Sequence, residues 1–259
     1  FDGDARHANG VNGHDRSARK QREIVVVGIG GPSNAGKTTA SWEIMEELAT
    51  PLWPIQLDWF FMPDHIPEHP EWGTDWESPE GIEFRSLHSE LQRIVAILAE
   101  ASFIPNELKV QAPNHFRVGT DGIDIVREGW AGQPFSQERI FIIVEGFLLF
   151  YSAPVCRLCD VRFWLQVHRD TCLQRRFERD PGMEFEDFRT WFLDMVWASY
   201  EKYRETQMTN AAPLHSLDGT LPIDVTVARI LECCRKFRSG CESACESRES
   251  AQQDKLQIS

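Results

Sequence analysis

The chain has no apolar run of the ~20 residues that a membrane-crossing helix needs. Its longest, Ile140 to Tyr151, is interrupted by Glu145, and no membrane partner is expected. Positive charge is in deficit: 27 Lys and Arg face 40 Asp and Glu, a net charge of −13. Such an acid excess argues against non-specific nucleic-acid binding, which draws its affinity from neutralised phosphates. The seven cysteines are an odd number and do not form an evenly spaced set. Cys156 and Cys159 make a C-x-x-C, but Cys233, Cys234, Cys241 and Cys245 lie too far along the chain for a zinc finger or ribbon. Reduced thiols and a cytoplasmic setting are the expectation. Internal repeats are also missing. The chain opens on Phe1 rather than Met, as expected of a trimmed or partial chain, which leaves a preceding targeting segment open.

What is present is an alternation of strand-like and helix-like patterns, the mark of an α/β fold with a parallel sheet flanked by helices. Strands are expected over 24–29, 53–57, 140–145, 161–167 and 213–217. Helices are expected over 37–49, 79–102, 170–179, 186–206 and 222–238. In the second helix Leu87, Leu91, Ile94 and Leu98 share one face. Residues 1–22 and 239–259 have no periodicity and read as a disordered lead-in and tail around one domain, 23–238. Within it, 62–78 is rich in Pro, His, Glu and Trp and reads as a covering loop; 103–139 reads as a Gly/Pro-punctuated insertion.

Gly31-Pro32-Ser33-Asn34-Ala35-Gly36-Lys37-Thr38 is a complete P-loop, preceded by the β-branched run Ile24–Ile29 and followed by a helical pattern. That strand–loop–helix setting gives the motif its meaning. Successive N–H groups can turn toward one point at a helix N-terminus and cradle phosphate. Lys37 can reach the β- and γ-phosphates, and the Thr38 hydroxyl can hold Mg²⁺. A bound nucleoside triphosphate follows, held by Gly31, Ser33, Asn34, Ala35, Gly36, Lys37, Thr38 and Thr39.

In an open parallel sheet, ligands gather at the carboxyl ends of the strands. Asp58, just beyond the second strand, is placed to act as general base and to touch Mg²⁺. Glu145 ends a very apolar strand, a costly place for charge unless it serves the metal shell. Asp218 ends the last strand, where a turn role and a site role stand level. Arg175, Arg176 and Arg179 form a basic cluster that suits a phosphate clamp; pairing with Glu178 and Asp180 is the ordinary alternative. Trp59, Phe60 and Phe61 follow the candidate base, and Trp72 and Trp76 lie on the covering loop. Exposed tryptophans suit a planar, cationic ring, while core packing serves Phe60 and Phe61 equally well.

Taken together, these motifs resemble the nicotinamide riboside kinases, within the uridine kinase-like P-loop small-molecule kinases. The resemblance is carried by Gly30–Thr39, Asp58–Pro63, Trp76–Glu80, Val144–Phe150, Arg175-Arg176-x-x-Arg179, Val196-Trp197 with Tyr200–Arg204, and Leu217–Thr220. It spans Ile24 to Phe237 apart from the insertion. It implies a five-stranded parallel sheet with a small lid, and transfer of the ATP γ-phosphate to a riboside 5′-hydroxyl. By position it makes Asp58, Lys37 and Glu145 the catalytic set, and Thr38, Asp58 and Glu145 the magnesium site. Trp76 would stack on the ring beside Trp59, Phe60 and Phe61, Glu77 and Arg176 would hold the ribose, and Arg175 and Arg179 would face ATP. Residues near Asp218–Ile223 would border the adenine. Three departures stand out. Glu77 replaces a shorter Asp, and Trp59 replaces the second Asp of a pair. The lid aromatic aligns with Pro181, for which a two-residue lengthening lets Met183 or Phe185 substitute.

The expected activity is phosphorylation of nicotinamide riboside, with a uridine- or cytidine-type or other small-metabolite kinase as alternative. A nucleotide-binding regulator without catalysis is the reading from another class; Lys37, Thr38, Asp58, Glu145 and the arginines together speak against it, because pure binding needs no base.

Overall fold

In β1 (Glu23–Gly30) alternate residues point to opposite faces. Val26 joins one core cluster, while Val25, Val27 and Ile29 join the other. A strand apolar on both faces must lie inside a sheet covered on both sides, and β1 is its central strand. In the computed structural model, β2 (Ile55–Gln56), β3 (Arg139–Glu145), β4 (Val161–Gln166) and β5 (His215–Asp218) complete an all-parallel sheet of order β2-β3-β1-β4-β5. The structure describes residues 22–113 and 122–237. The expected disordered ends therefore lie outside the described residues, except for Arg22, which donates to the carbonyls of Leu98 and Ala101.

Helices α1 (Lys37–Glu47) and α7 (Ile223–Lys236) cover one face. The other is covered by α2 (Phe84–Glu100), α3 (Ala153–Leu158) and α6 (Ala198–Ala211). The predicted stripe of α2 is completely buried, and at roughly 2 kcal/mol per large aliphatic side chain it secures the helix to the sheet. α2 starts five residues later than expected because Pro79–Gly81 forms its own 3₁₀ turn. Between α4 (Arg169–Arg179) and α6, the helix expected over 186–206 runs as α5 (Phe185–Trp191), a π-helical turn at Phe192–Trp197, and then α6. Among the described residues no helix is long and apolar enough to cross a membrane.

The strand expected over 53–57 is only two residues long, because Leu57 already opens a 3₁₀ turn. The insertion compensates at this sheet edge. Leu52 bridges Val126, the Trp53 N–H donates to Ile125 O, and the Arg127 N–H donates to Pro51 O. Its own two-residue ladder pairs Lys109–Val110 with Ile123–Asp124, and Ile104, Leu108, Val110 and Ile125 are buried. Residues 103–139, as far as they are described, thus cover an otherwise open sheet edge. Cys156 and Cys159 are buried thiols bonded to Phe150 O and Val155 O. Burial raises both above the ordinary thiol range, Cys156 to about 11.

Candidate active site

The P-loop leaves β1 through Gly31, whose φ of +140° and close approach to Leu165 O (2.5 Å from an added Cβ) leave no room for a side chain. Gly36, at φ +92°, caps α1 in the left-handed region. The loop therefore delivers the unpaired N–H groups of the first turn of α1 to one mouth. Lys37 is buried at that mouth and donates to Pro32 O at 2.8 Å. Burial pulls its pKa down, against the attraction of Glu145, Asp58 and Glu77. Three carboxylates thus surround one lysine. The Thr38 hydroxyl donates to Glu145 Oε1 at 2.8 Å. Glu145 is 6% exposed, and burial holds its pKa above the usual carboxylate range. Thr39 is exposed at the same helix start.

Asp58 projects from the 3₁₀ turn Leu57–Phe60 that ends β2. With three residues per turn, Leu57 and Phe60 eclipse each other and point inward, leaving Asp58 and Trp59 on the outer side. Phe60 is accordingly fully buried in the core; as a substrate contact it is corrected to a core residue. Trp59 is half-buried and packs against the same core cluster, away from the cavity described next. Phe61, 8% exposed, instead supports Trp76 edge-on at 5.4 Å.

The covering loop is a hairpin. The pairing of Glu68–His69 with Gly73–Thr74 forms its tip, and Phe61 with Ile82 closes its stem. This presents Trp72, Thr74, Trp76 and Glu77 to a cavity of about 320 Å³, closed on the far side by Arg176, Trp191 and Met195. The Ser33 hydroxyl donates to Glu77 Oε2 at 3.2 Å, so the P-loop and this cavity share a wall. Glu77 is 8% exposed and its pKa is pushed up to about 7, first by desolvation and further by Asp58, against Arg176, the Ser33 bond and Lys37.

The arginines divide. Arg175 donates to Asn34 O (3.4 Å) and Gly219 O (3.2 Å), bracing the P-loop against the turn after β5. Arg176 reaches toward Glu77 at 3.9 Å and lies over the Trp191 ring at 5.6 Å. Arg179, one turn further out, is exposed and paired with its neighbour Asp180 at 2.9 Å. Among the described residues it makes no contact with the P-loop, unlike Arg175. Asp218 accepts from the N–H and hydroxyl of Thr220 and is a turn residue here.

The substitute for the lid aromatic is also corrected. Phe185 packs on Phe177 at 5.0 Å, and Met183 is 48% exposed. The third aromatic wall is Trp191, whose Nε1 meets Met195 Sδ at 3.1 Å. Both were hidden in a helical pattern that reads as core: four residues apart, they share one helical face, and that face turns to the cavity.

Among the described residues, no group of three or more His, Cys, Asp or Glu side chains could hold a metal ion.

No known family profile matches the chain. It is similar to nicotinamide riboside kinase 2 of Homo sapiens, 25% identical over 214 residues that cover 80% of each chain. It is also similar to a uridine kinase of Aeromonas salmonicida, 28% identical over 188 residues, covering 70% of this chain and 78% of that one. A solved structure titled as a possible uridine kinase from Bacillus stearothermophilus is 17% identical, covers 78% of this chain and 92% of that one, and has a TM-score of 0.47. Over 70–80% of the chain, the similarity in sequence is therefore to nicotinamide riboside kinases and to uridine kinases.

Proposed function

We propose that this chain is an ATP-dependent kinase that phosphorylates the 5′-hydroxyl of a riboside, nicotinamide riboside before others. The observation that carries this reading is the shared wall: Ser33 of the P-loop bonds Glu77 of the aromatic hairpin, so a phosphate cradle opens beside a cavity lined by three tryptophans. A planar ring between Trp76 and Trp191 sets its ribose against Glu77 and Arg176 and its 5′-oxygen toward the P-loop. A cationic ring gains most from indole faces.

In this reading Asp58 takes the proton of the attacking hydroxyl. Lys37 releases Pro32 O and meets the phosphates, and Arg175 and Arg176 offset the charge that spreads over the transferring group. Arg179 joins them only if its pairing with Asp180 breaks. Thr38, Glu145 and Asp58 offer the hard oxygen donors that a magnesium ion prefers. When bound, that ion would supply positive charge against the charge of the phosphates.

A second reading, a pyrimidine riboside as acceptor, draws support from the 28% identity to a uridine kinase. The test is ATP- and Mg²⁺-dependent phosphorylation of nicotinamide riboside, uridine and cytidine in parallel. Selective turnover of nicotinamide riboside supports the first reading and selective turnover of a pyrimidine riboside the second. ATP hydrolysis that no riboside accelerates overturns both.

A further inference from the structure

Gln207 is completely buried on α6, and neither its amide nitrogen nor its amide oxygen has a hydrogen-bond partner among the described residues. A buried carboxamide left in this state carries the full desolvation cost of its polar atoms. The side chain lines a second, small cavity together with Ser33, Glu77, Ser199 and Tyr200, closed by Pro32, Phe147 and Leu148. Tyr200 and Gln207 are seven residues apart on α6, hence on one helical face. The cavity measures about 10 Å³, the size that holds a single water-sized oxygen. Its walls supply both donors and acceptors, the combination that suits an atom able to give and to take a hydrogen bond. Glu77 and nothing else belongs to the walls of both this cavity and the tryptophan-lined one.

We infer that this is a one-oxygen subsite at the back of the acceptor pocket, and that the Gln207 amide is the group that holds its occupant. The occupant is an oxygen that can both donate and accept a hydrogen bond: a hydroxyl of the acceptor's ribose, reaching past Glu77, or a resident water that supports Glu77 from behind. The inference rests on the riboside reading for the first occupant and on the cavity alone for the second.

Two variants keep the test open if one folds poorly: Gln207→Leu and Gln207→Met both remove the amide at similar volume. Binding of nicotinamide riboside or uridine, whichever the wild type takes, is compared by calorimetry with that of its 2′-deoxy and 3′-deoxy forms, and the ligand-free proteins are melted alongside. If the ribose hydroxyl enters, the wild type binds one deoxy form about tenfold more weakly than the parent, and the variants bring that ratio close to one. If a water resides there, the variants weaken parent and deoxy forms by the same factor and melt at lower temperature without ligand. Wild-type affinities in both variants, with an unchanged or raised melting temperature, overturn the inference. Should the wild type bind no riboside at all, the proposed function fails, while the ligand-free melts alone still decide the subsite: a drop supports it, no drop overturns it.

Discussion

The guanidinium of Arg176 lies 5.6 Å from the ring centre of Trp191 and 3.9 Å from the carboxylate of Glu77, which joins the α4–α5 side of the cavity to the hairpin side. Trp191 thus does two things. It walls the cavity, and its π face adds to the hold that Glu77 and Asp180 have on the Arg176 guanidinium.

Replacing Trp191 with Ala should raise the KM for the riboside by roughly three- to thirtyfold, the range expected of one desolvated cation–π and stacking contact. The KM for ATP should stay within about twofold, because Trp191 is outside the P-loop. Trp191→Phe should recover part of the loss. Steady-state kinetics with each substrate varied in turn reads this, and equal loss for ATP would count against the placement.

Asp58→Asn should lower kcat by roughly 10²–10⁴, the usual contribution of a positioned base. ATP binding, measured by calorimetry, should remain, since neither Lys37 nor the loop backbone is touched. Near-normal turnover would remove Asp58 from the base role.

Glu77 gives a pH signature. Its carboxyl is pushed up to about 7 in the folded chain, above its value when unfolded, so the folded state holds the proton more tightly. The stability contributed by the protonated form is full below about pH 4.5 and is lost as pH rises through about 7. Glu77→Gln should therefore gain on the wild type between pH 5 and pH 8, by up to on the order of 3 kcal/mol. Urea unfolding of both proteins across that range measures the difference; a difference independent of pH would refute it.

Gly146 lies against the turn that carries Asp58: a Cβ there would come within 2.3 Å of Leu57 Cβ. A Cβ-to-Cβ overlap cannot be relieved by a rotamer change, so the 3₁₀ turn must move. Gly146→Ala should cost about 1–3 kcal/mol of stability and lower kcat more than the KM for ATP. Thermal melts and kinetics on one preparation separate the two effects.

Much of this molecule is legible locally. A β-branched strand running into a glycine loop and a helix is specified by residues within one short stretch, so the P-loop, the central strand and the buried stripe of α2 follow from spacing and conformational preference alone. Acids at strand ends also follow, because a parallel sheet presents those ends together. What tertiary structure decided is where side chains point once non-adjacent segments meet. The phase of a 3₁₀ turn sent Phe60 inward and left Asp58 outside. Trp191 and Met195, four residues apart on one helical face, turned to the cavity, while Phe185 settled against Phe177. Arg179, one turn beyond Arg175, pairs with Asp180 instead of the loop that Arg175 reaches. The Ser33–Glu77 bond spans 44 residues, and the unpartnered amide of Gln207 has meaning only beside the cavity it lines. Such facts depend on distances between segments that no local pattern encodes.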